Sequence, residues 1–581
     1  MQEGRGDRGR YRPRHSAPAR GSLPPRPVWL TLGGLCALVL GIVGVQAIPA
    51  PSASRNPSIN AGPNHPQSNA RFTGSTPQTT SSAARTTAAA DQVAALGFGP
   101  RELAAWVEAE NAKPGTTDWQ LTKPATSHQI EGYAGEVSVE MGEAVELYVS
   151  TIAAQYSIGA YRMGYYGGSR GRLVWSADSL AGFTQRPCKT APRTRTVSCN
   201  WSDPLTVETA GWPQGDYLFK LTASTGWQSY VPLTIRDDQS TSTYLVNSSI
   251  ATWEAYNLFG GRDLYTGPVN GGASGLGGRS QVVSFDRPYA LGDGSGDYIG
   301  LELPMVSMME SLGLDVSYTT DVDVSERPQL LIHHLTFVSL GHDEYFTLAM
   351  RDGLTAARDN GVNLVFLGAN AAYRHIRLEP SPLGPDRLEV DYKNPYADPL
   401  FGKVNADVTA WAWRDFPNNA PESELIGEMW QCNPVQADMV ITDASAWVYQ
   451  GAGLHEGSRI AGIVGPEYDH FDPYSPNPGD VTVVARTPVR CDGRGEEADM
   501  TYYSSSSGAG VWDTGTIDWV GSVLPYCAGC EDPDAVTRIT VNVLATFGTG
   551  PAGVVHPSQA NVLGSSTRGP PTTLNRGSLG D

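Results

Sequence analysis

Positive charge is scarce in this 581-residue chain: 41 lysines and arginines stand against 60 aspartates and glutamates, a formal net charge of −19 at pH 7. That balance argues against nucleic acid as a partner. Common site signatures are missing as well. There is no P-loop, no GxSxG elbow and no HExxH pair, which sets aside a phosphate cradle, an α/β-hydrolase nucleophile and a zincin site. Asp286, Asp293 and Asp297 have a calcium-loop flavour but not the EF-hand spacing, and read as a solvated loop. The glycine-rich run at 271–278 has no strand directly before it, which weakens a nucleotide reading. Cysteine is sparse, with seven in all, and Cys36 lies in an apolar run. The other six are Cys188, Cys199, Cys432, Cys491, Cys527 and Cys530. An even set in an oxidising compartment reads as disulfides. Cys188–Cys199 closes a hairpin-like loop, and Cys432–Cys491 and Cys527–Cys530 follow by proximity and elimination. Cys527 and Cys530 also admit a zinc reading, but no second CxxC pair stands nearby.

One uncharged run stands out, the 18 residues Val28–Val45, preceded by seven arginines against Glu3 and Asp7. The basic flank predicts a cytoplasmic N-terminus with everything after residue 50 outside. The run reads either as a single-pass membrane anchor or as a signal segment cut after Ala47, leaving a secreted protein. The Pro-, Ser- and Thr-rich stretch that follows cannot bury enough surface to offset its ordering entropy, and reads as a tether.

From Pro100 a short helix is expected, stopped by Pro114 and Gly115. VSVEMGEAVELYVST, LTVETAGWPQGDYLFKLTAST and SYVPLTIRDD then alternate with period two, the mark of a β-sandwich over about residues 120–237. After Asp238, helices alternate with apolar strands, among them QLLIHHLTFVSLG ending at His342, which predicts a parallel α/β sheet. Sites in such sheets form past the C-terminal strand ends. Two segments end that way, 341–345 (GHDEY) and 368–370 (GAN).

These segments carry a resemblance. GHDEYF at 341–346, LVFLGAN at 364–370, TWEAYN at 252–257 followed by Leu264 and Tyr265, and AYRMGYYGG at 160–168 resemble the large subunit of bacterial N,N-dimethylformamidase and its relatives, over roughly residues 108–550. The expected fold class is α+β multidomain: a β-sandwich followed by a parallel α/β domain of flavodoxin or glutamine-amidotransferase type with a β-rich insertion. The expected segments are 1–27 cytoplasmic, 28–47 anchor or signal, 48–95 linker, 96–237 helix plus sandwich, 238–400 α/β, 401–480 insertion, 481–550 α/β return and 551–581 tail.

The resemblance implies a mononuclear ferric iron held by two tyrosinates and a carboxylate. By motif these are Tyr217, Tyr256 and Glu344, with His342 and Glu467 as catalytic groups. The chemistry is coherent without the family. Phenolates are hard anionic donors, a cation lowers a phenol's pKa, and a metal with open positions polarises an amide carbonyl. The bland alternatives are packing for Tyr217 on its strand, a sheet cap for Tyr256, and helix N-terminal charge for Glu344. Trp411, Trp413, Trp430 and Trp447 either stack on sugars or serve as core. Two functions follow: hydrolysis of an amide-like C–N bond, or non-catalytic binding of carbohydrate or envelope polymer. The expected partners are a small-molecule or cell-envelope substrate, the membrane through the N-terminal segment, and a further copy of the chain.

Overall fold

A computed structural model describes residues 93–269, 274–525 and 534–562. The expected first helix is Ala105–Asn111. The period-two segments beyond it form two sheets. One holds the strands Ile130–Ala134, Ala144–Thr151 and Leu205–Glu208; the other holds Ser138–Glu140, Gln228–Arg236, Gly215–Ala223, Gln155–Met163 and Gly171–Ala181, in those spatial orders. Successive side chains on a strand face opposite ways. The inward set, including Ile130, Val145, Leu147, Ile158, Phe219 and Val231, forms one buried cluster.

The second half is built on a seven-stranded sheet. Its strands are β1 Tyr244–Ser248, β2 Val316–Thr320, β3 Thr336–Gly341, β4 Asn363–Gly368, β5 Val481–Cys491, β6 Arg494–Ser504 and β7 Gly510–Asp513, in the spatial order β2-β1-β3-β4-β7-β6-β5. The first five in that order run parallel, and the β5–β6 hairpin joins antiparallel. Alternation splits the apolar strand residues between two cores. Val246, Val338 and Val365 share one with the helices Leu303–Ser311 and Ala535–Phe547, whereas Leu245, Phe337 and Leu364 share the other with the helix Leu348–Asp359. Both faces are therefore covered, which is why these strands read as unbroken apolar runs. The result is a mixed α+β structure with several separate sheets. The sandwich is tied to this half by a fully buried ion pair: Arg162 Nη2 donates to Glu310 Oε1 at 2.5 Å, with both side chains 0% exposed.

Two disulfides are formed. Cys188–Cys199 brackets the short hairpin Lys189–Thr190 and Val197–Ser198, and Cys432–Cys491 joins residues 59 apart. Closing so long a loop restricts the unfolded chain. Replacing both cysteines by serine (Cys432→Ser with Cys491→Ser) is expected to lower stability by about 2–4 kcal/mol, read as a drop in the urea midpoint. Cys527 and Cys530 lie outside the described residues.

Three expectations are corrected. Among the described residues no helix is long and apolar enough to cross a membrane. The longest, Ala535–Phe547, has 13 residues, against the roughly 20 a span needs. The single-pass anchor, the membrane as partner and the membrane localisation are not carried further; Val28–Val45, which suggested them, lies outside the described residues. Second, QLLIHHLTFVSLG is not one strand. Pro328–His333 is a 3-10 turn, and β3 starts only at Thr336. Third, GHDEYF does not open a helix. Tyr345–Thr347 is a short strand, and Thr347 caps the helix Leu348–Asp359 by accepting from Met350 N. Glu344 therefore lies ahead of the helix, and helix N-terminal charge does not explain it.

Candidate functional site

Glu344 lies just past the C-terminal end of β3, where the chain turns at Gly341 with φ +64°. A Cβ at Gly341 would stand 2.7 Å from Leu301 O, so the turn that delivers 342–344 requires glycine. The loop is pinned when Glu344 N donates to Thr252 Oγ1 at 2.9 Å. Tyr256 follows the last turn of the helix Ile250–Ala255, directly after β1. Tyr265 is brought back beside it by a turn in which Tyr265 N donates to Asp263 Oδ1 at 2.8 Å and Leu264 N to Ala255 O at 3.0 Å.

These loops converge on one carboxylate. The Tyr256 hydroxyl donates to Glu344 Oε2 at 2.7 Å, and the Tyr265 hydroxyl donates to Oε1 at 2.9 Å. The two phenol oxygens stand 3.0 Å apart, with the rings stacked at 4.7 Å. Arg374 Nε donates to Glu344 Oε1 at 2.9 Å, and His342 Nε2 lies 3.4 Å from Oε2. Behind Tyr265, the Tyr345 hydroxyl donates to Tyr265 Oη at 2.6 Å, and the buried Lys393 Nζ donates to Tyr345 Oη at 3.0 Å. Glu344 is sealed at 1% exposure, whereas both tyrosines keep part of their surface open.

Charge follows from this packing. Burial would raise Glu344, but His342, Arg374 and Lys393 outweigh it and hold the carboxyl well below the usual range. Burial would lower His342, but Glu344, Glu467 and Asp297 outweigh it and lift the imidazole to about 9. Burial and then the Glu344 charge push the Tyr256 phenol well above its ordinary value. Tyr265 is pushed up by burial too, with Arg374 pulling the other way.

Glu467 faces the same centre from the 405–470 segment. Its Oε2 accepts from Asn370 Nδ2 at 3.0 Å and Trp430 Nε1 at 2.6 Å, and its Oε1 accepts from Asn433 Nδ2 at 2.8 Å. Asn370 is the residue past the end of β4 that the sequence pattern picked out. Burial raises Glu467, His342 lowers it and Glu344 raises it again.

Tyr217 is not part of this group. It points into the sandwich core, where its hydroxyl donates to Pro213 O at 2.5 Å and its ring stacks on Trp212. Strand alternation, not chemistry, decides its direction, and the expected ligand role is corrected. The second tyrosine at the carboxylate is Tyr265, nine positions after Tyr256 and in the Leu264-Tyr265 pair that accompanies TWEAYN. Arg374 and Lys393 left no sequence signal, while Tyr345 closes the 341–345 segment that the sequence pattern picked out. Among the described residues no three His, Cys, Asp or Glu side chains are grouped to hold a metal ion; any ion here would depend on the tyrosines.

The model of the N,N-dimethylformamidase beta subunit-like C-terminal family matches residues 157–532. The chain belongs to this family. The N,N-dimethylformamidase beta subunits of Paracoccus aminophilus and of an Alcaligenes species are 24% and 22% identical over 330 residues, which cover 49% of this chain and 42% of each relative. The match therefore spans less than half the length of those subunits. Among solved structures, the sulfur carrier protein SoxY from Chlorobium limicola f thiosulfatophilum aligns with 22% of this chain and 92% of its own at 16% identity. Its TM-score of 0.11 carries no argument about the fold.

Beside this centre lies a group of buried acids. Asp469 accepts from Asn370 N at 2.8 and 3.0 Å, and Glu428 and Asp513 are fully buried alongside. Burial and mutual repulsion raise Glu428 and Asp469 well above the usual range, and burial pushes Asp513 up to about 8. The folded state thus holds protons that the unfolded chain releases. Stability is expected to fall as pH rises from about 4, the unfolded carboxylate value, to about 8. Asp513→Asn should flatten that decline, measured by urea midpoints across the range.

Proposed function

We propose that this protein is a metal-dependent hydrolase of an amide-like C–N bond, with Tyr256, Tyr265 and Glu344 as the ligands of one hard ion, ferric iron. One observation carries the reading: two phenols from one loop and a carboxylate from another meet past the strand ends beside His342 and Glu467. The donor set fits such an ion. The phenol and carboxylate oxygens stand 2.7–3.0 Å apart, so the three residues would together hold one hard cation through oxygen donors alone. His342 Nε2 is buried 3.4 Å from Glu344 Oε2, which puts a titratable group directly beside the donor set. Ionising either phenol requires a cation in reach, since burial and Glu344 oppose it.

The ion would supply Lewis acidity toward an amide carbonyl. The protein's own groups handle protons. His342 carries one at neutral pH and can deliver it from Nε2 to a departing amine. Glu467, oriented by Asn370, Trp430 and Asn433, would accept a proton from water. Arg374 keeps Glu344 ionised and in one orientation. The seven-stranded sheet, with these groups past the ends of β1, β3 and β4, suits a domain of flavodoxin or glutamine-amidotransferase type.

Metal analysis of the purified protein, with N,N-dimethylformamide as first substrate, tests the reading. The expected result is bound iron and a visible phenolate-to-iron band that disappears in Tyr256→Phe and Tyr265→Phe but persists in Tyr217→Phe. A band unchanged by the first two substitutions, or no retained metal, overturns it. The second reading, a non-catalytic binder of envelope polymer, draws on an exposed aromatic group: Tyr396 at 72% and Phe416 at 51%, around Phe401. Those rings give no reason for the buried centre. Trp413, at 2% exposure, belongs to packing, while Trp411 at 38% offers an accessible ring.

A further inference from the structure

A second polar cleft, of about 500 Å³, shares no residue with the centre described above. One wall is the helix Leu348–Asp359, which presents Arg351, Thr355 and Arg358 from successive turns. The other wall is the 405–424 segment, with Asn405, Trp413 and Asn418.

Arg351 distinguishes this cleft. Four other buried arginines each have a buried carboxylate within 3 Å: Arg162 with Glu310, Arg287 with Glu254, Arg374 with Glu344 and Arg387 with Asp286. Arg351 is as buried, at 6% exposure. Its Nη2 donates to Pro421 O at 2.6 Å, and its nearest carboxylate is the half-exposed Glu424 at 3.6 Å. Its Nη1 has no hydrogen-bond partner among the described residues, and neither has Trp413 Nε1, although the guanidinium lies 5.1 Å from the Trp413 ring. A buried guanidinium whose nearest carboxylate stands at 3.6 Å and is half exposed is only partly compensated. Burial accordingly lowers the Arg351 pKa, with the acids around it compensating only in part. The adjoining His375, stacked on Trp413 at 3.8 Å, is held neutral by burial. The charged groups facing Arg351 are thus Glu424, Asp352, Glu422 and Arg358.

We propose that this cleft binds a small oxyanion, a carboxylate or a phosphate, with Arg351 as its principal anchor and Glu424 as the internal group it displaces. Arg–oxyanion pairing supplies charge-assisted hydrogen bonds that Nη1 now lacks. The site lies behind the catalytic centre rather than in it. Arg374 and His375 are neighbours on one strand and face opposite ways, the first toward Glu344 and the second toward Trp413. The proposal is independent of the hydrolase reading.

Isothermal titration of the full protein with inorganic phosphate and with acetate, at ionic strength matched by chloride, tests it. Saturable binding of either anion is expected, several-fold tighter in Glu424→Gln and lost in Arg351→Met. Phosphate binding alone assigns the phosphate source, and acetate binding alone the carboxylate. Absence of binding in both the native protein and Glu424→Gln overturns the proposal, as does binding that survives undiminished in Arg351→Met. If Arg351→Met does not fold, Glu424→Gln decides, and an affinity no tighter than native overturns it.

Discussion

Glu344→Ala is expected to destabilise the protein by about 3–5 kcal/mol, because it leaves a buried guanidinium and a charged imidazole without their shared anion. The carboxylate is the hub of the centre. Arg374 Nε, the two phenols and His342 all address it, and none of them has another carboxylate as close. Metal retention should fall by more than the roughly 10–100-fold that loss of an outer partner costs. Urea unfolding and metal analysis on the same preparation separate the two effects. A variant that unfolds at the native midpoint would show that the network does not form. Glu344→Gln should cost less stability, since it keeps the acceptor for the Tyr265 hydroxyl, but should retain metal no better.

Arg162→Met should have a comparable effect on stability with no direct effect on the centre. Both members of the Arg162–Glu310 pair are fully buried, and Glu310 also accepts from the Tyr318 hydroxyl at 2.6 Å. Removing the cation strands a carboxylate between the sandwich and the helix Leu303–Ser311, at an expected cost of about 3–5 kcal/mol. Removing both charges together, with Arg162→Met and Glu310→Leu, should recover much of that loss, because the pair's desolvation disappears with it. Urea midpoints of the two single variants and the double form the test. A double variant as unstable as the sum of the singles would mean that the pair is not coupled.

Parts of the site were legible before the fold. The segments 341–345 and 368–370 end apolar runs, and both supply groups to the centre, Glu344 with His342 and then Asn370. TWEAYN marked Tyr256 through the family resemblance that this motif carries. Tyr217 misled because its strand is equally regular on both faces. Nothing in GDYLFKL says which face meets the sandwich core, and there the hydroxyl found Pro213 O. Tyr265 sits in a loop without periodicity, so only its nearness to TWEAYN pointed to it. Arg374 and Lys393 come from strand and loop positions 30 and 49 residues beyond Glu344, with no spacing rule to join them.

The amino-acid order by itself determined the local elements, the acidic balance, the cysteine pairs at 188–199 and 432–491, and membership of the dimethylformamidase-like family. Those features rest on periods of two and 3.6 residues, on nearby partners or on contiguous motifs. The tertiary structure alone decided which tyrosine joins Tyr256 at Glu344, which cations hold that carboxylate ionised, and that Arg351 is buried with only the half-exposed Glu424 near it, at 3.6 Å. These depend on the strand order β2-β1-β3-β4-β7 and on loops that meet at its C-terminal edge. Contacts between residues tens to hundreds of positions apart are set by how sheets and helices pack, and no local pattern encodes them.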